Sequence, residues 1–396
     1  MDNFKFYLPV TIFFGDSEFA KVKRAAKELG SRALIITGQG SVKKHGYLER
    51  LEKYLDEEKI YHEVFEGIEP NPRNTTINKA GEHARKMKAD MLIALGGGSV
   101  MDATKGAAIV AKSGDDVWDY CGVSGRKTKK VSEALPIICI PTLAATGSEV
   151  NIGAVITNTQ TKLKSAIHDD KVMPRFAIID PALTATVPVS YLVDGAVDII
   201  CHCLETYLSN KKDFLIPDYL TLGLIRTVKI SIERALENPK DQAPRRDLLW
   251  ASSMAMMKPF SGRNGSWPMH EIEHGISGIY DISHGFGLAL VMPAVLRFNK
   301  NHNPERINRM IGFLLHEKTD FYSNADRAID DLTIWLEKIG ALRPSDMDKL
   351  KHMDVELVTN SILETYGSGE KGKEHIDGVA PMYRNDIKII LKTITV

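Results

Sequence analysis

The chain is poor in cysteine and carries no surplus of either charge. Its 396 residues include four cysteines, Cys121, Cys139, Cys201 and Cys203. They form no CxxC pair and no regular spacing, which argues against a disulfide framework and for a reducing compartment. Lys plus Arg and Asp plus Glu stand at 51 each, with no basic block. Neither nucleic acid nor an anionic membrane is therefore an expected partner. The longest apolar run, 288–296, is too short to cross a bilayer and is broken by Pro293. The N-terminal stretch lacks the basic segment and apolar core of an export signal. A soluble, cytoplasmic protein is expected. Also missing are a GxGxxG loop and a Gly-Lys-Ser/Thr phosphate loop.

What is present is an alternation of short apolar runs with helix-length stretches. Runs at 10–14, 33–37, 61–65 and 90–95 read as strands, and 135–142, 153–157 and 176–180 continue the series. Helices are predicted from a Ser17 cap to Gly30, from about 42 to 55, from the Pro70-Asn71-Pro72 turn to about 87, and from the glycines at 96–98 to about 112. Continuous apolar strands separated by helices imply a parallel sheet covered on both faces. After Pro188 helical spacing dominates, at 192–208, 220–236, 248–257 and 329–342, and strand signals nearly vanish. The expected organisation is an α/β domain at 1–188 and an all-helical domain at 189–396.

Three small-residue loops leave the ends of predicted strands. Gly96-Gly97-Gly98-Ser99 opens a helix, so its backbone can approach an anion while the helix amides point at it. Thr142, Thr146 and Ser148 offer hydroxyls around Gly147 after another strand. Two such loops at strand ends suit an extended diphosphate. The third, Gly38-Gln39-Gly40-Ser41, lacks the carboxylate usual for a ribose diol and is followed by Lys43 and Lys44, a composition friendlier to a 2′-phosphate. Each loop by itself is equally a plain turn.

The second half concentrates imidazoles. Asp198 and His202 are four residues apart, on one face of a helix. His270, His274 and His284 follow within fifteen residues. Imidazoles with one carboxylate suit Fe(II) or Zn(II) rather than calcium. His270-Glu271-Ile272-Glu273-His274 also satisfies the HExxH pattern, in which the two histidines bind zinc and Glu271 is the base of a metalloprotease. That reading leaves Asp198, His202 and the glycine loops unexplained. Cys201 and Cys203 flank His202 on other helix faces and read as core residues, and the remaining histidines read as ordinary surface or core residues.

Taken in order, Gly38-Gln-Gly-Ser-Val-Lys-Lys44, Gly67-Ile-Glu-Pro-Asn-Pro72, Gly96-Gly-Gly-Ser-Val-Met-Asp102, Leu143-Ala-Ala-Thr-Gly-Ser-Glu149, Asp180-Pro-Ala-Leu-Thr184, Val197-Asp-Ile-Ile-Cys-His-Cys-Leu-Glu-Thr-Tyr207 and the run from His270 to Pro293 resemble the iron-containing (group III) alcohol dehydrogenases, in the branch of butanol dehydrogenases and NADP-linked aldehyde reductases. The resemblance implies a Rossmann-like N-terminal domain, a helical C-terminal domain, a cleft between them, and a homodimer. It implies Asp198, His202, His270 and His284 as metal ligands, with His274 near the nicotinamide as a proton-relay group. Gly97, Gly98, Ser99, Asp102, Thr142 and Ser148 would line the dinucleotide. Gly38, Gly40, Ser41 and Lys164 would contact its adenine-ribose end, with NADP(H) preferred over NAD(H). Glu271 and Glu273 stand where the family usually has small residues, and Gln39 replaces a commoner glycine.

The expected reaction is hydride transfer between a primary alcohol or aldehyde and the nicotinamide, with the metal polarising the substrate oxygen. Trp118, Phe260, Trp267 and Met269 suggest an apolar substrate pocket. Such a pocket disfavours the same-fold alternative of elimination or cyclisation on a phosphorylated sugar acid, as in dehydroquinate synthases. A nucleotide-binding regulatory protein with a structural metal is the non-enzymatic alternative.

Overall fold

The structure is a computed structural model that describes residues 6–209, 214–257 and 266–394. It divides into two compact units, Tyr7–Val187 and Pro188–Val396.

The first unit is built on β1 (Thr11–Phe14), β2 (Arg32–Gly38), β3 (Tyr61–Ile68), β4 (Met91–Gly96), β5 (Ile137–Pro141) and β8 (Phe176–Ile179). They form one sheet in the order β1-β8-β5-β4-β2-β3, with every pairing parallel. Helices α1 (Val22–Leu29), α2 (Ser41–Lys44), α3 (Tyr47–Glu57), α4 (Asn74–Lys86) and α5 (Gly98–Ser113) connect the strands. Both faces are buried, as the apolar runs require. Leu34, Ile36, Leu92 and Ala94 enter one core, while Ala33, Ile35, Met91 and Ile93 enter the other.

Local details depart from the sequence reading. Ser17 is no helix cap: its φ is 66° and its side chain makes no capping bond. The helix expected over 42–55 is broken at Gly46, whose φ of 72° separates α2 from α3. The 153–157 run does not join the parallel sheet. It forms β6 (Gly153–Thr157), paired antiparallel with β7 (Lys164–His168), a strand whose short mixed-polarity sequence gave no apolar signal.

The second unit is helical: α6 (Val189–Leu208), α7 (Leu215–Glu237), α8 (Ala243–Met256), α9 (Pro268–Tyr280), α10 (His284–Asn299), α11 (Pro304–His316), α12 (Ala325–Lys338), α13 (Pro344–Met347), α14 (Val355–Tyr366) and α15 (Arg384–Ile394). Two-residue strands at His375–Ile376 and Met382–Tyr383 pair antiparallel. α6 is buried continuously from Leu192 to Leu208, which makes it the central element of this unit. No described helix is long and apolar enough to cross a membrane.

Candidate functional site

On α6, Asp198 and His202 lie one turn apart, with their side chains 2% and 6% exposed. α9 brings His270, and the first residue of α10 brings His284. The Nε2 atoms of His202, His270 and His284 lie 3.3, 3.4 and 3.6 Å from Asp198 Oδ1. Ligands held by one ion at about 2.0–2.1 Å sit roughly 3.4 Å apart; Asp198, His202 and His270 offer atoms all within 4.8 Å of one another, which suits a shared ion, while His284 joins them through Asp198 Oδ1 and otherwise groups with Glu273 and His274. The fit extends to the unused atoms: Asp198 Oδ2 and His202 Nδ1 are buried with no hydrogen-bond partner among the described residues. Close approach of α10 depends on glycine. A Cβ at Gly285 would meet the Asp194 backbone oxygen at 2.4 Å, and one at Gly287 would meet Glu273 Cγ at 2.8 Å.

Electrostatics suit a cation. Burial opposes charge on Asp198, yet His202, His270 and His284 hold its carboxyl well below the usual range. Burial lowers His202 to about 4, leaving it neutral with a lone pair to donate. His270 is raised well above an ordinary histidine, because the Glu205 carboxylate overcomes the cost of burial. Glu205 Oε2 accepts from His270 Nδ1, and Glu205 Oε1 accepts from Met269 N at 2.5 Å. Glu273 plays the same part for His284, with Oε2 2.5 Å from its Nδ1. Carboxylates keep a proton on Nδ1 of both rings, so Nε2 is the nitrogen turned inward to serve a metal once any proton it carries has left, the usual support for a metal-binding imidazole. Burial pushes Glu271 up to about 8, so this added acid is neutral at pH 7 and brings no extra charge.

His274 is placed differently. Its ring lies 5.5 Å from that of His284 and 6.2 Å, edge-on, from that of His270. Its Nδ1 contacts the Tyr366 hydroxyl of α14 at 2.6 Å. Cys201 lies beside Glu205 and His270, but burial raises its thiol to about 12, so it stays protonated and is a poor ligand.

In the α/β unit the three loops emerge from adjacent strand ends, after β2, β4 and β5. The chain moves outward from β2 to β3 and then returns to β4 on the other side of β2. The ends of β2 and β4 thus flank a topological switch point, where open α/β sheets bind ligands. Gly98 at the start of α5 lies under Thr146, since a Cβ there would meet Thr146 Cγ2 at 2.5 Å. Gly40 takes a φ of 107° at the turn into α2, with Gly38 and Ser41 on either side. Lys164 is buried, with Nζ 2.9 Å from Asn71 Oδ1 in the loop after β3. Asp102 is buried, and its two oxygens accept from Ser148 Oγ at 2.6 Å and Val155 N at 2.9 Å. These bonds tie Ser148 of the second loop and Val155 of β6 to α5.

Sequence reasoning missed the groups that orient the site. Glu205 completes an i, i+4, i+7 series with Asp198 and His202, a signal that was readable. Lys105 was not singled out. It is fully buried, and its ammonium, with three N–H groups, is ringed by Ser148 Oγ, Asn151 O, Asn151 Oδ1 and Gly153 O at 2.7–2.9 Å. The apolar-pocket residues separate. Trp118 belongs to the core of the α/β unit beneath Arg126, Met269 is buried against Cys201, and Phe260 lies outside the described residues. Trp267 alone stands against the imidazoles, 5.6 Å from His202 and 5.2 Å from His270.

An α/β unit with anion-ready strand ends and a helical unit with a three-imidazole, one-carboxylate cluster define a metal-dependent, nucleotide-linked enzyme. Residues 9–181 match the iron-containing alcohol dehydrogenase family and residues 192–373 its C-terminal region. NADH-dependent butanol dehydrogenase A of Clostridium acetobutylicum is 33% identical over 91% of this chain and 94% of its own length. NADPH-dependent aldehyde reductase YqhD of Escherichia coli is 34% identical over 77% of this chain and 78% of its own. The crystal structure of NADH-dependent butanol dehydrogenase A from Thermotoga maritima superposes with a TM-score of 0.92 at 31% identity, covering 100% of this chain and 99% of that one. The chain belongs to the iron-containing alcohol dehydrogenase family. It is an NAD(P)-linked alcohol–aldehyde oxidoreductase by class, and the dehydroquinate synthase-like and metalloprotease alternatives are not favoured.

Proposed function

We propose that this protein interconverts primary alcohols and their aldehydes, using Asp198, His202, His270 and His284 to hold a divalent ion. The observation that carries this reading is the convergence of three Nε2 atoms on Asp198 Oδ1 at 3.3–3.6 Å. When bound, the ion supplies Lewis acidity at the substrate oxygen and the nicotinamide supplies the hydride. The chain's own residues do the rest. Glu205 and Glu273 keep two imidazoles in the ligand tautomer. The loop and helix-start residues Gly97, Gly98 and Ser99 take the diphosphate on their backbone amides, with Thr142 offering a hydroxyl from the neighbouring loop, which Ser148 ties down through Asp102 and Lys105. Trp267 shields the cluster from water. His274, close to the ligands but not aimed at Asp198, holds the proton exchanged with the substrate oxygen.

Iron is the expected ion on family grounds, although nitrogen and oxygen donors also suit Zn(II). NADP(H) is the favoured nucleotide, because Gly38, Gln39, Gly40 and Ser41 present no carboxylate and Lys43 and Lys44 follow. The relatives include both NADH- and NADPH-dependent enzymes, so the ratio of kcat/KM for the two nucleotides is the deciding measurement. Four buried free thiols support a reducing, cytoplasmic setting. Family membership supports a homodimer, which light scattering tests. The central assay follows NADPH absorbance with butanal, with and without chelator. Chelator-sensitive loss of absorbance is expected. Turnover by protein shown to be metal-free would overturn the reading.

A further inference from the structure

Of the four proposed ligands, His284 is the arm the cluster holds least. Its side chain is 25% exposed, against 2–9% for the other three, and it joins them through Asp198 Oδ1 at 3.6 Å. It is the first residue of α10, directly after the 281–283 turn from α9. Ser283 stands at the N-cap, where a serine hydroxyl ordinarily accepts from its own helix amides. Ser283 makes no such capping bond among the described residues; its hydroxyl donates to Asp194 Oδ2 instead. Asp194 lies one turn before Asp198 on the same face of α6. Its two oxygens accept from Arg343 Nη1 at 2.6 Å and Nη2 at 3.1 Å. Arg343, just before α13, also donates from Nε to Asp346 Oδ2 at 2.7 Å, and its guanidinium lies 5.5 Å from the centre of the Phe286 ring, within cation–π range. Gly285 rests on the Asp194 backbone, as its lack of room for a Cβ shows. Positions 283, 285 and 286 therefore all meet the Asp194–Arg343 pair, with His284 between them.

We propose that Asp194 and Arg343 are positioning residues for the metal site: they latch the start of α10 so that His284 reaches the ion held by Asp198, His202 and His270. This rests on the reading of His284 as a ligand given above. A ligand atom must be held to within about 0.5 Å of its productive place, and a helix start hung on a short turn has no such precision by itself. The two parallel bonds from Arg343 fix the Asp194 carboxylate in orientation as well as distance. Asp194 and Asp198 belong to one helix, about 6 Å apart along its axis, so the anchor for Ser283 and the carboxylate at the cluster move as one body. A lysine at 343 would keep the charge but offer no planar fork. A clamp serving stability alone would lower the melting temperature and leave the coordination of the ion as it was.

The test compares Ser283→Ala, Ser283→Thr, Arg343→Met, His284→Ala and the Ser283→Ala/His284→Ala double variant, all as full-length protein. Zinc(II) affinity is measured by competition against a chelator, and the visible absorption of the cobalt(II)-loaded protein reports ligand number and geometry without turnover. Ser283→Ala and Arg343→Met are expected to weaken zinc binding roughly three- to tenfold, less than loss of a partner that touches a ligand directly. Their cobalt bands should move toward those of His284→Ala. Ser283→Thr keeps the hydroxyl and should behave as wild type; a loss as large as in Ser283→Ala would assign the effect to packing and refute the latch. In the His284→Ala background, Ser283→Ala should cost nothing further, and an additive loss would also refute it. If His284→Ala itself binds zinc and cobalt like wild type, the reading of His284 as a ligand fails. If His284→Ala is weakened while Ser283→Ala and Arg343→Met keep wild-type affinity and bands, whatever their melting temperatures, the latch alone fails. Should Arg343→Met fail to fold, Arg343→Lys takes its place.

Discussion

Replacing Glu205 with glutamine probes the claim that buried carboxylates set the ligand tautomers. Glu205 uses one oxygen for the Met269 backbone N–H, at 2.5 Å, and the other for His270 Nδ1. Glutamine has one carbonyl oxygen and one NH2 in the same space. If the oxygen stays on Met269, the NH2 faces Nδ1 and drives the ring proton to Nε2, where it blocks the lone pair meant for the metal. If the amide flips, two buried donors confront each other at Met269, at a cost of about 1–3 kcal/mol. Either outcome falls on metal binding, where loss of such an orienting partner typically weakens affinity 10- to 100-fold, or about 1.4–2.7 kcal/mol. Competition against a chelator of known affinity, with metal content measured after dialysis, reads this directly. Glu271→Gln is the contrast: that acid is already neutral at pH 7, so its replacement should retain metal like wild type. A Glu205→Gln protein binding metal within twofold of wild type would refute the tautomer argument.

Metal uptake by the stripped protein should release protons, because His270, held protonated beside Glu205, must give up its Nε2 proton to become a ligand. Calorimetric titration in buffers of different ionisation enthalpy counts them, and a count of zero would contradict the assignment. Lys105→Met removes the buried ammonium from among its four acceptors in the 148–153 segment. Nucleotide dissociation constants are expected to rise on the order of tenfold or more, with metal content unchanged. Nucleotide binding as tight as in wild type would show that this lysine is not needed to hold the loop.

Much of the parallel sheet was legible because its strands are buried on both faces and read as unbroken apolar runs. β6 and β7 were misassigned or missed for the opposite reason: their pairing is local and antiparallel, and β7 (Lys164–His168) mixes lysine, serine and histidine. The break at Gly46 was signalled by the sequence and passed over: Val42 falls half a helical turn away from Leu51 and well off the stripe of Leu48, Leu51 and Leu55, with a glycine between. Trp118 and Met269 were read as pocket walls because composition cannot say which apolar side chains face a substrate and which fill a core.

The sequence by itself determined which residues have metal-binding chemistry and which loops can approach a diphosphate. Those are properties of residue type and short spacing, such as the i, i+4 step from Asp198 to His202. Only the tertiary structure decided what faces each histidine. His270 and His274 are equally spaced imidazoles on one helix. What separates them is the group delivered to each Nδ1, Glu205 from α6 or Tyr366 from α14, 65 and 92 residues away in the chain. A ring's tautomer depends on its hydrogen-bond partner, and that partner is supplied by packing rather than by sequence neighbours.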